Sequence, residues 1–555
     1  MTDGNELSGW FGRFRSTRRF ARLRKHPVAY FCAEYALDPR LPFYAGGLGV
    51  LAGDMVREAA DRELPLVAVG LRYRLGYYLG ESPASASVGL EAVLDAKGDR
   101  LLVGVPIERR IVSVQAWRWR RGTVEVLLLD TDLEANAPTD RHIVDRLYVD
   151  DRQVRLEQEV ILGVGGLRML EALGVSPSVY HLNEGHSAIL TLELTHRLMC
   201  ERGLSFDLAR QSARSLTVLT NHTLVPTGNE TFSNDLVSAI LVRYAEELGV
   251  PVSELIKLGL VQESSIFSMT MLALRMSSHV NAVSRLHAEK AKEIWTSHPM
   301  ETITNGIHLP TWNLVGDDVS GAGDLWRAHQ ERKGLLLERV RKETGRDWGR
   351  DDLLVGWARR IVSYKCPLAV FDDLHRLAGL ARDSRRPVRL VFSGQAHPGD
   401  GEGQNLKAKL MEIIDGELSD VAVFLPDYGL LTAPTIVAGC DVWLNTPIVG
   451  FEACGTSGMK AALNGVLPCS TRDGWMAEAT DIGWMLDNEN VGSNFLDVLE
   501  RDIIPLYYCR DENGVPVKWE GNMRHARRTI VDRFGAGRML KDYIEMFYLR
   551  SRGLE

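Results

Sequence analysis

Apolar and polar positions along this chain follow two rhythms. Short, nearly all-apolar runs recur at LPLVAVGLRYR (64–74), VEVLLLDTD (124–132), SLTVLTNHT (215–223), LLVGWARR (353–360), VRLVFSG (388–394), VAVFLPD (421–427) and CDVWLNT (440–446). Several are β-branched, as expected of parallel strands covered on both faces. Between them, LEQEVILGVGGLRMLEAL (156–173) and LAVFDDLHRLAGLARD (368–383) space their apolar residues at helical intervals. Strand–helix alternation over 555 residues predicts an α/β fold with open parallel sheets. That length exceeds what one core holds, so two large domains are expected.

One segment breaks the rhythm. VPIERRIVSVQAWRWRRGTVEVLLLD (105–130) alternates with period two around a central Arg-Gly turn, and reads as a local β excursion inside the first domain. Trp117 and Trp119 within it suit strand packing better than a sugar platform. The domain boundary is expected after TNGIHLPTW (304–312), because NLVGDDVSGAGD (313–324) is polar and Gly-rich. This gives an N-terminal domain over 1–312 and a C-terminal domain over 313–555, with the last helix (526–549) packing back on the first.

Composition narrows the picture. The net charge of −8 gives no electrostatic drive toward nucleic acid. The cysteine count is odd, at seven, with no C-x-x-C, which argues against a disulfide framework or zinc site and for a reducing cytoplasm. No H-E-x-x-H spacing occurs, so no metal is assigned. No apolar run of about 18 residues predicts a membrane span, and no signal-peptide core is expected at the N-terminus. Seven basic residues cluster between Arg13 and Lys25; they read as a solvated helix face, with a docking arm for an acidic partner as the alternative.

Chemistry-bearing residues fall just after the predicted strands, where open α/β sheets bind ligands. PFYAGGLGVLAGD (42–54) sets Gly46, Gly47 and Gly49 ahead of a helix. Such a turn can present N–H groups to an anion, or can simply be a tight turn under close packing. WARRIVSYKCP (357–367) gathers Arg359, Arg360 and Lys365, two planar forks and a point charge suited to phosphate. GFEACGTSGMKAALNG (450–465) places Thr456, Ser457 and three glycines before a helix expected to begin near Met459. It lacks the Walker spacing, and Lys460 follows the glycines instead. A lysine there is either surface decoration or a Schiff-base former beside a held aldehyde. HLNEGHS (181–187), TNHTLVPTGNETF (220–232) and TNGIHLP (304–310) add Asn183, Glu184, His186, Asn221, His222 and Asn305. Such polar groups suit a buried sugar, whose hydroxyls both donate and accept, although each histidine taken singly also suits a satisfied core position.

Together these blocks, with LLDTDLEAN, LYVDDRQVRLEQE, NAVSRLHAE and SGQAHPGD, resemble the α-glucan phosphorylases. The resemblance runs from about Val28 to the C-terminus and is to the shorter bacterial and archaeal members. It implies a GT-B glycosyltransferase, two Rossmann-like domains facing across a cleft. It implies pyridoxal 5′-phosphate on Lys460, with Thr456, Gly455, Arg359 and Tyr428 around it. Arg360, Lys365 and the backbone at Gly46 and Gly47 match the substrate-phosphate site. His222, Asn305, Glu452 and Gly455 match contacts to the transferred sugar; Asn183 and Glu184 match a polar segment near it, and Arg155 a basic residue by the cleft entrance. Retaining phosphorolysis of α-1,4-glucan by inorganic phosphate follows as the expected activity, without the carboxylate pair of hydrolases. A homodimer is common in that family.

The sequence departs from the resemblance at Thr446–Cys454. The short relatives usually carry two arginines and a proline before Leu-Glu-Ala-Ser-Gly; here Ile448 and Val449 are apolar and Cys454 replaces the serine. Met476 stands where a second tryptophan is usual. These changes make a related transferase of altered sugar or acceptor specificity the alternative expectation. A non-catalytic glucan-binding protein is the alternative of another class.

Overall fold

The structure, a computed structural model, describes residues 2–77, 88–224, 229–261 and 264–551. Residues 225–228 of the TNHTLVPTGNETF motif lie outside it. The chain divides into two compact units: Met1–Val283 with Ala288–Ile303 and Gly537–Glu555, and Ser284–His287 with Thr304–Ala536. The sequence reading places the boundary after Trp312, but the main crossing lies between Ile303 and Thr304. The polar stretch that looks like a linker is pinned inside the second unit. The Asn464 side chain donates to the Trp312 carbonyl and accepts from the N–H groups of Leu314 and Val315.

The first unit holds β1 (Val28–Phe31), β2 (Leu66–Leu71), β3 (Glu91–Ala92), β4 (Val103–Ile107), β5 (Arg110–Arg121), β6 (Val124–Asp130), β7 (Val179–Asn183), β8 (Thr217–Thr220), β9 (Thr231–Ser233), β10 (Ile266–Ser268), β11 (His279–Ala282) and β12 (Glu301–Thr302). Its main sheet runs β12-β11-β8-β7-β1-β2-β6-β5-β3. Every pair from β12 to β6 is parallel, with Val28 opposite Leu66 on one side and Val179 on the other. Strands β1, β2, β7 and β8 are buried at every position; β1 and β2 are apolar throughout, while β7 and β8 also bury His181, Asn183, Thr217 and Thr220. The β excursion is the antiparallel β4-β5-β6 meander. Trp117 packs there as a strand residue: its indole donates to Asp130 at 2.8 Å, and the Arg72 and Arg100 guanidinium groups lie over the ring.

The second unit is one parallel sheet of β13 (Leu353–Ala358), β14 (Val388–Ser393), β15 (Ala422–Leu425), β16 (Val442–Asn445), β17 (Leu467–Thr471) and β18 (Trp484–Leu486), ordered β15-β14-β13-β16-β17-β18. Leu336, Leu354, Val391, Ile436, Trp443 and Ala461 form its buried core. The C-terminal helical stretch is interrupted. A helix over Val517–Arg533 stops where Ile307 bridges Gly535 in strand fashion, with Ile307 N–H on the Phe534 carbonyl and Ala536 N–H on the Ile307 carbonyl. Helix resumes at Ala536–Tyr543.

In each sheet the strand order reverses once. In the first unit β2 and β6 follow on one side of β1, and β7, β8, β11 and β12 on the other. In the second, β14 and β15 lie on one side of β13, and β16, β17 and β18 on the other. Loops leaving adjacent strand ends diverge at such a reversal and leave a crevice, so β1/β7 and β13/β16 are where ligands are expected. Among the described residues, no helix is long and apolar enough to cross a membrane.

Candidate active site

The second unit's reversal carries the cationic motif and the lysine motif together. Arg359 leaves the end of β13, and the loop from β16 returns through Glu452, Gly455 and Thr456 to a helix over Ser457–Leu463. That helix starts two residues before the expected Met459. Lys365 and Glu452 are joined as an ion pair, both side chains about nine-tenths buried. Burial pushes the Glu452 carboxyl up, but the positive charges of Lys365, Arg359 and Arg360 outweigh it and hold the group below the usual carboxylate range. Arg359 is buried, and burial lowers its pKa. One guanidinium nitrogen donates to the Leu444 carbonyl at 3.0 Å, while Nε, also buried, has no hydrogen-bond partner. Glu452, Tyr428 and Tyr364 lie close enough to act on its charge.

Lys460 is buried with its ammonium over the Trp312 ring, 4.1 Å from the centroid. It is not surface decoration. Thr456 sits at the helix start, and its hydroxyl does not cap the helix. Gly455 has φ +78°, where a side chain would be strained and would crowd Glu452. Asn305 is buried in the same unit, next to Thr304, whose hydroxyl bonds Glu478. Ile448 and Phe451, from the departing segment, are 49% and 46% exposed, and Phe451 stacks on Tyr364.

The residues present fit an aldehyde-bearing phosphate cofactor. A buried lysine can take the aldehyde, and the unpartnered Nε of a buried arginine asks for an anion. The neighbouring charge is mainly positive, with Arg359, Arg360 and Lys365 all acting on Glu452.

The first unit's reversal gathers the other expected residues. Asn183 ends β7, and its carbonyl oxygen lies 2.7 Å from His222 Nε2. Its amide donates to Cys32 Sγ, just beyond β1. Glu184, at φ +78°, accepts from the His222 N–H at 2.8 Å and from the Asn221 amide. Burial pushes its carboxyl up to about 7, against the lowering effect of bonds from the His222 and Gly185 N–H groups and the Thr223 side chain. The glycine turn has a carboxylate beneath it that sequence reasoning missed. Glu34 Oε2 accepts from the N–H groups of Ala45 (2.7 Å) and Gly46 (3.2 Å), and Oε1 accepts from the Tyr148 hydroxyl. The Gly46 N–H is thus satisfied internally and is not left to bind substrate. Gly49 is explained by close packing, since a Cβ there would sit 2.6 Å from Glu34 Oε2. Gly47 is different: a Cβ there would meet nothing within 4 Å, so open space lies over its backbone.

Arg155 does not stand at an open edge. It is buried, stacked over Tyr148, paired with Glu230 at 2.9 Å and near Glu159 at 3.5 Å. A buried guanidinium needs such partners, and here carboxylates supply them.

Two doubly wound α/β units in one chain, each with polar groups at its strand-order reversal, are consistent with the GT-B class of glycosyltransferase. A model of the carbohydrate phosphorylase family matches residues 168–315 and 301–490. The chain is 36% identical to the maltodextrin phosphorylase of Thermococcus litoralis over 95% of its own length and 71% of that protein. It is 34% identical to the glycogen phosphorylase of Aquifex aeolicus, over 94% and 86% of the two chains. An uncharacterised protein of Methanocaldococcus jannaschii is 31% identical and matched over 99% of its length. The chain belongs to the carbohydrate phosphorylase family.

Proposed function

We propose that this protein is an α-glucan phosphorylase that cleaves α-1,4-linked maltodextrin with inorganic phosphate, releasing α-D-glucose 1-phosphate, with pyridoxal 5′-phosphate held covalently by Lys460. The observation that carries this reading is Arg359, a buried guanidinium whose Nε has no partner, placed among cations at the β13/β16 reversal. A buried guanidinium N–H without an acceptor is costly unless an anion completes it.

When bound, the cofactor would supply its 5′-phosphate as a proton-transfer partner for the substrate phosphate. Lys460 would anchor it, with Arg359, Thr456, Gly455 and Tyr428 around it. In the second unit Arg360 and Lys365 would bind and orient inorganic phosphate; in the first, the open backbone at Gly47 offers N–H donors to an anion. Adjacent phosphates repel strongly, and preorganised cations and N–H groups offset that repulsion. Inorganic phosphate would protonate the glycosidic oxygen and then capture the oxocarbenium-like sugar on the same face, which retains configuration. In the second unit Glu452 and Asn305 would accept from and donate to sugar hydroxyls; in the first, His222, oriented by Asn183 and Glu184, offers the same chemistry. The free cysteines fit a reducing cytoplasm.

One observation favours a second reading. Ile448 and Phe451 present exposed apolar surface in the departing segment, which suits a phosphorylase of altered acceptor preference. Incubation with phosphate and a panel of α-glucans and disaccharides separates the two. Glucose 1-phosphate from maltodextrin supports the first reading; sugar phosphate from other donors alone supports the second.

A further inference from the structure

The segment Glu452–Lys460 is held by a turn to which the proposed chemistry gives no role. Asp473, 1% exposed, follows β17 and accepts the Glu452 N–H with Oδ2 at 2.9 Å and the Gly474 N–H with Oδ1 at 2.7 Å. Gly474 has φ +54°, and a Cβ there would fall 2.3 Å from the Cys454 carbonyl oxygen. The turn therefore lies directly against the motif, and the Trp475 N–H donates to the same Cys454 carbonyl at 3.1 Å. The Trp475 ring covers Gly458, two residues before Lys460. Asp473-Gly474-Trp475 thus grips the motif at three successive points.

We propose that Asp473 is a positioning residue for phosphorolysis: its carboxylate fixes the Glu452 main chain and so sets the Glu452–Lys365 pair against phosphate and sugar. The catalytic consequence rests on the function proposed above; the anchoring does not. Its two acceptor oxygens serve the Glu452 and Gly450 N–H groups on one loop and the Gly474 N–H on its own. A protonated acid or an amide keeps one acceptor and turns a donor toward the other N–H, leaving it unsatisfied. The charged group that faces Asp473 is Glu452, itself faced by Lys365, Arg359 and Arg360. Burial pushes Asp473 up, the Glu452, Gly474 and Gly450 backbone bonds pull it back, and Glu452 raises it, leaving it at about 6. The anchor is therefore made above about pH 6 and weakened below it.

The test is hydrogen exchange of backbone amides in the purified full-length protein and in Asp473→Asn, read beside kcat and KM across pH. Asp473→Asn is expected to speed exchange in 450–455 by about tenfold or more while segments of the first unit are unchanged. It should also lower kcat/KM and abolish an acid limb near pH 6 that the unsubstituted protein displays. Unchanged protection of 450–455, or an acid limb that survives the substitution, overturns the proposal. If Asp473→Asn does not fold, the unsubstituted protein decides. After correction for intrinsic rates, protection of 450–455 should fall between pH 7 and 5, and constant protection overturns the proposal. If exchange responds as expected but no donor is turned over, the anchor stands and the phosphorylase reading fails.

Discussion

Lys365 and Glu452, 87 residues apart in sequence, form a buried ion pair that spans the β13/β16 reversal. One is the expected phosphate ligand and the other the expected sugar ligand, so the pair couples the two halves of the proposed reaction. Phosphate arriving at Lys365 would share the ammonium with Glu452 and leave the carboxylate freer to accept from a sugar hydroxyl.

The pair can be separated by substitution. Lys365→Met leaves a buried carboxylate without its lysine and is expected to destabilise the second unit by about 3–5 kcal/mol. Adding Glu452→Gln should recover much of that loss, because the orphaned charge goes too. Chemical unfolding of the two single variants and the double variant checks this; additive losses would contradict the coupling.

Arg359 should matter for the cofactor's phosphate more than for folding. Its Nε is unpartnered, so Arg359→Ala breaks one bond to the Leu444 carbonyl and no ion pair that the structure makes. Activity is expected to fall by about 10²–10³-fold, with a modest change in unfolding midpoint. Steady-state kinetics with pyridoxal 5′-phosphate varied, beside thermal unfolding, separates the two effects.

Glu34 should govern the glycine turn. Glu34→Gln keeps one oxygen for the Ala45 and Gly46 N–H groups, and Tyr148 can turn its hydroxyl to face the amide, so a mild effect is expected. Glu34→Ala leaves the buried Ala45 N–H unsatisfied, at about 1–3 kcal/mol, and frees the part-buried Gly46 N–H. The predicted order in KM for phosphate is Glu34→Ala above Glu34→Gln, with Glu34→Gln close to the unsubstituted protein.

Glu184 gives the first unit a pH signature. Its folded pKa, pushed up to about 7 by burial, lies above the unfolded value, so folding binds the proton more tightly. The stability this contributes is fully present below the unfolded pKa and is lost as pH rises through about 7. The slope is at most about 1.4 kcal/mol per pH unit. Glu184→Gln should flatten the dependence of unfolding on pH in that window; an unchanged slope would contradict the assignment.

The parallel strands were legible because strands covered on both faces are largely apolar, as in 353–358 and 442–444. Lys460 and the cationic motif could be placed at strand ends for the same reason. What the sequence left open depends on long-range pairing. Nothing near Lys365 announces Glu452, and nothing near Gly46 announces Glu34. Arg155 reads as an available cation until Glu230, 75 residues on, is seen to hold it. The polar stretch after Trp312 reads as a linker because Asn464, which pins it, lies about 150 residues away. The departure at Thr446–Cys454 was visible in the sequence, but its division into exposed Ile448 and Phe451 and buried Cys454 was not.

The most direct test of the account is release of α-D-glucose 1-phosphate from maltodextrin and inorganic phosphate, measured for the purified protein and for Lys460→Ala. Product is expected with the first and background with the second, together with a pyridoxyl adduct on Lys460 after borohydride reduction. An unmodified Lys460, or equal product from both proteins, would contradict it.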